Sequence, residues 1–303
     1  MVVGLRREVC SYGGCMRILI TGGGGNVGRG LTGPLLAAGH ELVVSDIVRP
    51  AWLAGHPDVE FHQVDVQIGV GLERAAEGCD VIVHTPAWHG IHTGVRTEVD
   101  FWRLNVDGTM WMTQAAVATG ARVLFLSSQA WHDHYDKYGF TKRMGEELLA
   151  YQHRRAGLSY VALRPAAFTP WEGDWPQEYG ARLLGIGVDR RDVLQAALRS
   201  IDYLSRTPDA DLIVDAVRAN VFSADDIEGW EADPIGAAER IFPGARDVVE
   251  RFGLDISATP HLQPSSGWAE IGYQPEHHFG TFLAEISGMD VNEARDLPCD
   301  YRA

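Results

Sequence analysis

The stretch RILITGGGGNVG, residues 17–28, decides the fold of this chain. Its first half, Arg17–Thr21, is a short β-branched run that predicts a strand, and Asn26–Ala38 has the spacing of a helix. Glycines between the two allow a tight turn and a close approach of the backbone to a pyrophosphate, whose charge the helix N-terminus stabilises. This context favours a dinucleotide site over a turn that binds nothing. The candidate residues are Gly22, Gly25, Asn26, Val27 and Gly28.

The same alternation of strand and helix continues from Met16 to Pro165. Strands are predicted at Glu41–Ser45, Val59–Val64, Asp80–His84, Arg122–Ser127 and Ser159–Arg164. Helices are predicted at Gly71–Glu77, Val99–Thr119 and Tyr138–Arg155. Such an alternation produces right-handed βαβ units and a parallel sheet. The predicted fold class is therefore α/β, a Rossmann-type doubly wound parallel sheet with a small C-terminal substrate cap.

The regular alternation of strands and helices ends at Pro165, near the middle of the chain. Three regions are therefore predicted. Residues 1–15 precede a natural-looking start at Met16 and are expected to form a poorly ordered N-terminal extension. Residues 16–165 form the Rossmann core. Residues 166–303 form a mixed substrate-binding cap with returning sheet elements, including a strand-like Arg218–Phe222.

Composition limits the class of protein and its partners. The 303 residues are 46% apolar and 22% charged, which is enough to bury a sizeable core. A net charge of −15 makes nucleic acid and anionic membranes poor partners, and no apolar run approaches the roughly 18 residues of a membrane helix. Four cysteines without a CxxC pair indicate neither a disulfide framework nor a zinc site, so the expected location is the reducing cytoplasm.

Two acidic residues are candidates for binding the adenosine half of a dinucleotide. Asp46 closes the second strand, where an acid accepts hydrogen bonds from the ribose hydroxyls and repels a 2′-phosphate. NAD is therefore favoured over NADP, although Arg49 close by could soften that preference. Asp65 and Val66, just after the third strand, are placed to meet the adenine, with a solvated loop position as the alternative for Asp65.

A tyrosine and a lysine one helical turn apart form the candidate catalytic pair. Tyr138 and Lys142 are separated so that both side chains lie on one face of a helix. Tyrosine has a pKa of about 10 in model peptides, and a nearby ammonium group stabilises the phenolate and lowers that pKa. Lys142 is one of only two lysines, with Lys137. Ser128, at the carboxyl end of the fifth strand, can hold the substrate oxygen that exchanges a proton with Tyr138.

Together these segments resemble the extended short-chain dehydrogenase/reductase family, which includes NAD-dependent sugar epimerases and dehydratases. The resemblance covers about Met16 to Pro165, and its motifs are specific in combination. The segments that carry it are TGGGGNVG (21–28), VIVHTPA (81–87), NVDGT (105–109), LSSQA (126–130), YGFTK (138–142), LRP (163–165) and, near the C-terminus, GYQP (272–275).

The resemblance implies an NAD-dependent enzyme that acts on a small molecule, and it assigns roles to further residues. The implied catalytic residues are Ser128, Tyr138, Lys142 and Asn105, the last acting through backbone and water. The implied NAD site combines the glycine turn with Asp46, Asp65, Val66, His84, Ala87, Lys142 and Arg164. The candidate substrate-binding residues are Trp88, His89, Gln129, Ala166 and Trp171.

Two departures from the family pattern narrow the implied reaction. Gln129-Ala130 follow the serine where the dehydratase branch has Asp-Glu, so elimination of water is not expected. The segment Arg164–Pro170 lacks the Asn of nucleotide-sugar members and resembles the uronate and aldose dehydrogenases. The expected reaction is hydride transfer at a secondary alcohol of a sugar or sugar acid. An epimerase that retains its NAD and a non-catalytic dinucleotide sensor are the alternatives.

Histidines and aromatic residues raise two further expectations. His84, His89 and His92 cluster in sequence, but no HxH or HExxH pattern on a clear helix supports a metal site, so none is expected. The helix that carries Trp102 and Trp111 is apolar on more than one face, which a one-sided surface helix does not need. The family dimerises through this helix and the Tyr-Lys helix, so a homodimer is expected, with a thick monomer core as the alternative.

Overall fold

The computed structural model describes residues 14–131, 136–168 and 176–296. It contains a seven-stranded sheet in the order β3-β2-β1-β4-β5-β6-β7. The strands are β1 (Arg17–Thr21), β2 (Glu41–Asp46), β3 (Glu60–Gln63), β4 (Val81–His84), β5 (Arg122–Leu126), β6 (Tyr160–Pro165) and β7 (Asp211–Ala216). Neighbouring strands from β3 to β6 pair in parallel, and the order reverses between β1 and β4. This is the predicted Rossmann-type doubly wound sheet, which is confirmed.

Helices alternate with these strands and continue to the end of the described chain. They are α1 (Asn26–Ala37), α2 (Leu72–Ala76), α3 (Glu98–Phe101), α4 (Gly108–Thr119), α5 (Lys137–Ala156), α6 (Gln177–Leu184), α7 (Arg190–Arg206), α8 (Ala224–Trp230), α9 (Pro234–Ile241), α10 (Ala245–Phe252), α11 (Trp268–Ile271), α12 (Phe279–Ser287) and α13 (Val291–Asp296). None of those described is long and apolar enough to cross a membrane. A π-helical segment, Trp102–Asp107, joins α3 to α4, so the predicted helix Val99–Thr119 is divided.

The strands at the centre of the sheet are buried, whereas the edge strand β3 is exposed or half-buried along its length. The aliphatic side chains of β1 and β4 are fully buried, as continuous apolar runs in parallel sheets predict. The register pairs Thr21 with His84, so the carboxyl ends of β1 and β4 lie side by side. The sheet thereby creates the crevice at the reversal of strand order where such folds bind ligands.

The chain divides into two compact units. The first comprises Met1–Arg164, Ala196–Val214 and Ala269–Ile271, and the second comprises Pro165–Gln195, Asp215–Trp268 and Gly272–Ala303. The second unit has its own apolar cluster, in which Trp230 is fully buried and its indole N–H donates to the Ile256 carbonyl at 2.9 Å. Most of the predicted N-terminal extension lies outside the described residues.

The predicted strand at Arg218–Phe222 is wrong. The last strand of the sheet is β7, which ends at Ala216. Residues 217–223 form neither a helix nor a strand. Arg218 is fully buried there, and its guanidinium donates to the carbonyls of Leu184, Gly185 and His261 at 2.9–3.0 Å. These bonds to separate backbone segments replace the ladder bonds of a strand, and an apolar pattern alone could not predict them.

Candidate active site

The glycine turn after β1 packs too closely for side chains. Gly22 has a φ of +67°, and a Cβ on it would lie 2.7 Å from Thr85 Oγ1. A Cβ on Gly28 would lie 2.7 Å from the Gly23 Cα. The Gly25 N–H donates to the Gly22 carbonyl at 3.0 Å, and α1 begins directly after it. This bare backbone at a helix N-terminus fits the pyrophosphate of a dinucleotide.

Asp46 closes the second strand at the edge of this turn. Its carboxylate accepts the N–H of Gly24 at 2.9 Å and that of Ile47 at 2.7 Å, so its position is fixed by the backbone. Arg49 does not pair with it but stacks on Phe61, with 5.3 Å from the guanidinium carbon to the ring centre. The structure therefore places an acid at the predicted ribose position and holds the nearby arginine against an aromatic ring.

The residues predicted to meet the adenine lie in a compact turn after β3. Asp65 accepts the Gln67 N–H at 2.9 Å, and its carbonyl accepts two further N–H groups of the same turn. Val66 is buried against Gly108. The Asp65 carboxylate thus has a local structural partner, and its contact with adenine stays a prediction.

His84 is a buried, neutral residue at the end of β4. Its Nδ1 lies 2.8 Å from Thr21 Oγ1, and its ring stacks on Phe125 at 6.1 Å. Burial, together with the charge of Lys142, lowers the pKa of His84 to about 3. Its Nε2 has no hydrogen-bond partner among the described residues. Ala87 in the following loop is half-buried, and its contact with NAD stays a prediction.

Asn105 fixes the loop after β4 to the helix that carries Tyr138. The Asn105 amide donates to the Trp88 carbonyl at 3.0 Å and to Thr141 Oγ1 at 2.9 Å, and its oxygen accepts the Trp88 N–H at 2.8 Å. Asn105 is buried in the π-helical segment, a distortion often found at functional sites. The resemblance implied a role through backbone and water, whereas the structure shows a side-chain bridge.

Ser128 lies close enough to Tyr138 to influence the pKa of the tyrosine. Ser128 Oγ accepts the Ala130 N–H at 3.0 Å, which fixes the serine side chain at the end of β5. The helix start that presents Tyr138 is capped by Asp136, which accepts the Gly139 N–H at 2.6 Å. Burial raises the pKa of Tyr138 to about 12, and Ser128 opposes that shift. The tyrosine is therefore protonated at neutral pH.

Lys142 is buried on the same face of α5. Its Nζ donates to the Leu126 carbonyl at 2.6 Å and lies 5.0 Å from the centre of the Phe125 ring. Burial lowers the pKa of Lys142 to about 7, against the opposing charge of Glu146. The expected lowering of the Tyr138 pKa is not what the structure shows, because a lysine that is itself desolvated carries only part of its charge at neutral pH.

Three of the candidate substrate residues, His89, Trp88 and Gln129, lie in the first unit. His89 lies with its ring 5.8 Å from that of Tyr138, and burial lowers the pKa of His89 to about 3. Trp88, beside it, stacks against the Arg96 guanidinium at 4.1 Å. Gln129 donates to the Arg164 carbonyl at 3.3 Å.

Of the two remaining candidate substrate residues, Ala166 is the one within the described part of the chain. Ala166 belongs to the second unit, where it packs in a small apolar cluster with Val188, Val193 and Val217. Trp171 lies outside the described residues. No cluster of three metal-ligating side chains exists within the described ranges.

Arg164, predicted in the NAD site, is paired with a buried acid, and its contact with NAD stays a prediction. Its guanidinium forms two bonds to the buried carboxylate of Glu146, at 2.8 and 2.6 Å. Sequence reasoning missed Glu146, Thr141 and Arg96 as members of the site. Glu146 carried a usable signal, because it lies one turn beyond Lys142 on the same helix face.

Comparison with known families identifies the N-terminal half. Residues 18–173 match the model of the NAD dependent epimerase/dehydratase family. This match confirms NAD as the cofactor expected from the sequence, and it confirms the family resemblance.

Relatives by sequence cover the chain to different extents. An uncharacterised protein of Mycobacterium tuberculosis is 36% identical over 153 residues, a match that covers 50% of this chain and 15% of that protein. The chain thus spans only a small part of the length of this relative. A 3 beta-hydroxysteroid dehydrogenase/Delta 5→4-isomerase of M. tuberculosis is 28% identical over 300 residues, covering 89% of this chain and 78% of that protein.

Solved structures with the same fold cover most of the chain. A UDP-galactose 4-epimerase superposes with a TM-score of 0.64 at 20% identity, over 93% of this chain and 100% of that chain. The uronate dehydrogenase of Agrobacterium tumefaciens superposes with a TM-score of 0.60 at 20% identity, over 94% and 91%. At these identities the likeness establishes the fold.

Proposed function

Because the chain belongs to the NAD dependent epimerase/dehydratase family, we propose that it is an NAD-dependent dehydrogenase acting on a secondary alcohol through Ser128, Tyr138 and Lys142. The observation that carries the proposal is the placement of Tyr138 and Lys142 one turn apart on α5, with Lys142 Nζ bonded to the Leu126 carbonyl two residues before Ser128 and with Ser128 close enough to influence the pKa of Tyr138. This arrangement provides a proton-exchanging group and a second hydroxyl that can hold the same substrate oxygen.

The chemistry divides between cofactor and protein. Bound NAD supplies the acceptor for the hydride that leaves the alcohol carbon. In reduction Tyr138, which is protonated at neutral pH, donates its hydroxyl proton to the substrate oxygen; in oxidation it first releases that proton to solvent and then accepts the alcohol proton as a phenolate. Ser128 orients the oxygen, and Asn105 holds the loop that carries Trp88 and His89 against α5.

A sugar or sugar acid is the proposed substrate class. The ring of Trp88 can pack on the C–H groups of a sugar, and the exposed Arg96 guanidinium stacked on it suits a carboxylate. The shared fold with a uronate dehydrogenase supports the same class. A cytoplasmic location is part of the proposal, because the four cysteines of the chain include no CxxC pair and are too few for a disulfide framework.

A substrate panel tests the proposal. The purified protein is mixed with NAD and, separately, with uronic acids, neutral aldoses, a nucleotide sugar and a 3β-hydroxysteroid while NADH absorbance is recorded. We expect NADH with a uronic acid or an aldose. NADH with the steroid alone would overturn the substrate class, and conversion of the nucleotide sugar without NADH release would replace the dehydrogenase with an epimerase.

Asp46 is expected to make the protein bind NAD more tightly than NADP. The backbone bonds that fix its carboxylate hold a negative charge where NADP carries its 2′-phosphate, while Arg49 is stacked away on Phe61. Replacing Asp46→Ser should narrow the difference between the two affinities, measured by titration calorimetry. Arg49→Gln serves as the control and should change it little. Equal affinities in the unmodified protein would contradict the role given to Asp46.

An exposed aromatic face is expected to form a homodimer interface. Trp102 and Phe140 are 43% exposed, with ring centres 6.4 Å apart, and Trp111 is 41% exposed on the adjoining helix. Trp102→Glu should shift the mass measured by light scattering from the dimer toward the 33.3 kDa monomer, because burying an unpaired charge is costly. Leu262→Glu, at an exposed leucine of the second unit, is the control. A monomer in the unmodified protein would rule out this interface.

A further inference from the structure

A buried ion pair lies next to the proposed catalytic residues. Glu146 is one turn beyond Lys142 on α5 and is 6% exposed. Arg164, in β6, donates Nε to Glu146 Oε1 at 2.8 Å and Nη2 to Oε2 at 2.6 Å. The Ser127 hydroxyl donates to the same carboxylate. Two parallel bonds between a guanidinium and a carboxylate form a geometrically exacting contact.

This pair joins three elements of the first unit at one point. Ser127 follows β5 and its N–H donates to the Leu163 carbonyl of β6 at 2.7 Å, while its hydroxyl reaches Glu146 on α5. The carbonyl of the preceding residue, Leu126, accepts a hydrogen bond from Lys142 Nζ at 2.6 Å. The backbone on the N-terminal side of Ser128 is therefore held by two side chains of α5.

Among the described residues, Glu146 is the acid that acts on the charge of Lys142. His84 at the end of β4 and His89 in the following loop are both neutral, since the pKa of each is lowered to about 3. Tyr138 is neutral as well, because burial raises its pKa. The groups that face Lys142 or its counter-charge are thus His84 and His89 from the β4 side, Tyr138 and Glu146 from α5, and Arg164 from β6. Glu146 raises the pKa of Lys142, opposing burial.

We propose that Glu146 is a positioning residue of this site, which fixes Ser127 and Ser128 against α5 and stabilises the ammonium form of Lys142. The inference rests on the proposed Ser-Tyr-Lys function, but its test does not need turnover. A buried ion pair gains little stability over apolar residues of similar size, because desolvating both charges offsets their attraction. Stability therefore does not explain why the pair is buried. Its effect on the position and charge of the neighbouring Lys142 does explain it.

The lysine content of the chain allows a direct measurement. The full-length protein is produced with lysine labelled with carbon-13 at Cε, and the Cε resonances are followed by NMR across the pH range. Only Lys137 and Lys142 give side-chain signals, and Lys137→Arg assigns them. The Lys142 midpoint is then compared between the unmodified protein, Glu146→Gln and Glu147→Gln.

Glu146→Gln is expected to lower the Lys142 midpoint by about one pH unit or more, because an opposite charge at this range stabilises the charged form. Glu147→Gln is the matched control: Glu147 is the next residue on α5, it is exposed, and it pairs with Arg143 at 2.9 Å. Its midpoint should equal that of the unmodified protein. A Lys142 midpoint that is the same in both variants would overturn the proposal.

A second variant keeps the test decisive if Glu146→Gln alone does not fold. Leaving Arg164 without its partner exposes a buried charge, whereas Glu146→Gln with Arg164→Met removes both charges together. We expect the double variant to lower the Lys142 midpoint, by less than the single variant does. An unchanged midpoint there would equally overturn the role of Glu146. If the midpoint falls but no sugar is oxidised, the positioning role stands and the proposed reaction fails.

Discussion

Tyr138→Phe is expected to lower turnover by a factor of about 10² to 10⁴ while leaving NAD affinity almost unchanged. Phenylalanine keeps the ring and its packing beside His89 but removes the hydroxyl group. Because that hydroxyl is the group proposed to exchange the substrate proton, the loss falls on kcat. The measurement is steady-state kinetics on the substrate found in the panel, with NAD affinity determined by calorimetry.

The same helix provides the control for this loss. Tyr151→Phe removes a phenolic hydroxyl from α5 at a position that is 52% exposed, and it should leave kcat unchanged. Lys142→Met is expected to weaken NAD binding as well as turnover, since Lys142 has both a proposed ribose contact and an electrostatic role. If Tyr138→Phe keeps most of the activity, another residue donates the proton, and His89 is the next candidate by position.

Gly22→Ala is expected to lower NAD affinity by at least about tenfold, roughly 1.4 kcal/mol. Two effects act together at this glycine. A left-handed φ of +67° costs an alanine about 1–2 kcal/mol, and its Cβ would also lie 2.7 Å from Thr85 Oγ1 and 2.9 Å from Pro86 Cγ. Relieving that overlap moves the turn whose backbone is proposed to bind the pyrophosphate. Calorimetric titration with NAD and thermal unfolding measure the two consequences.

Gly78→Ala separates backbone strain from steric overlap. Gly78 has nearly the same φ, +69°, but nothing lies within 4 Å of the Cβ that alanine would add. It should therefore lose about 1–2 kcal/mol of unfolding free energy and keep its NAD affinity. Equal NAD affinities in Gly22→Ala and Gly78→Ala would mean that this turn does not bind the cofactor.

The π-helical segment that divides the helix after β4 is a feature that the sequence did not predict. The apolar spacing of Val99–Thr119 indicates a single helix, and nothing in that spacing distinguishes α-helical from π-helical turns. The π-helical segment at Trp102–Asp107 places Asn105 where it reaches both Trp88 and Thr141. The hydrogen bonds of Asn105 connect residues that are far apart in the chain, so only the folded structure specifies them.

The electrostatics of the catalytic pair show the same limit. The spacing of Tyr138 and Lys142 predicts that they share a helix face, and α5 carries both. Reference pKa values predict an ammonium group at Lys142, whereas burial lowers its pKa to about 7. Desolvation depends on every element packed around the group, which is a property that no local pattern contains.

From its amino-acid order alone, this chain specifies the doubly wound sheet, the glycine turn, the acid after the second strand and the Tyr-Lys spacing. These features are local, because strand alternation, turn glycines and helix periodicity act over a few residues. Tertiary structure alone decides that Arg164 pairs with Glu146 and that Asn105 bridges Trp88 to α5. It also decides that Arg218 lies outside the sheet and binds backbone carbonyls. Each of those outcomes depends on buried polar groups finding partners from distant segments, since a buried donor or charge without a partner costs more than the local sequence can offset.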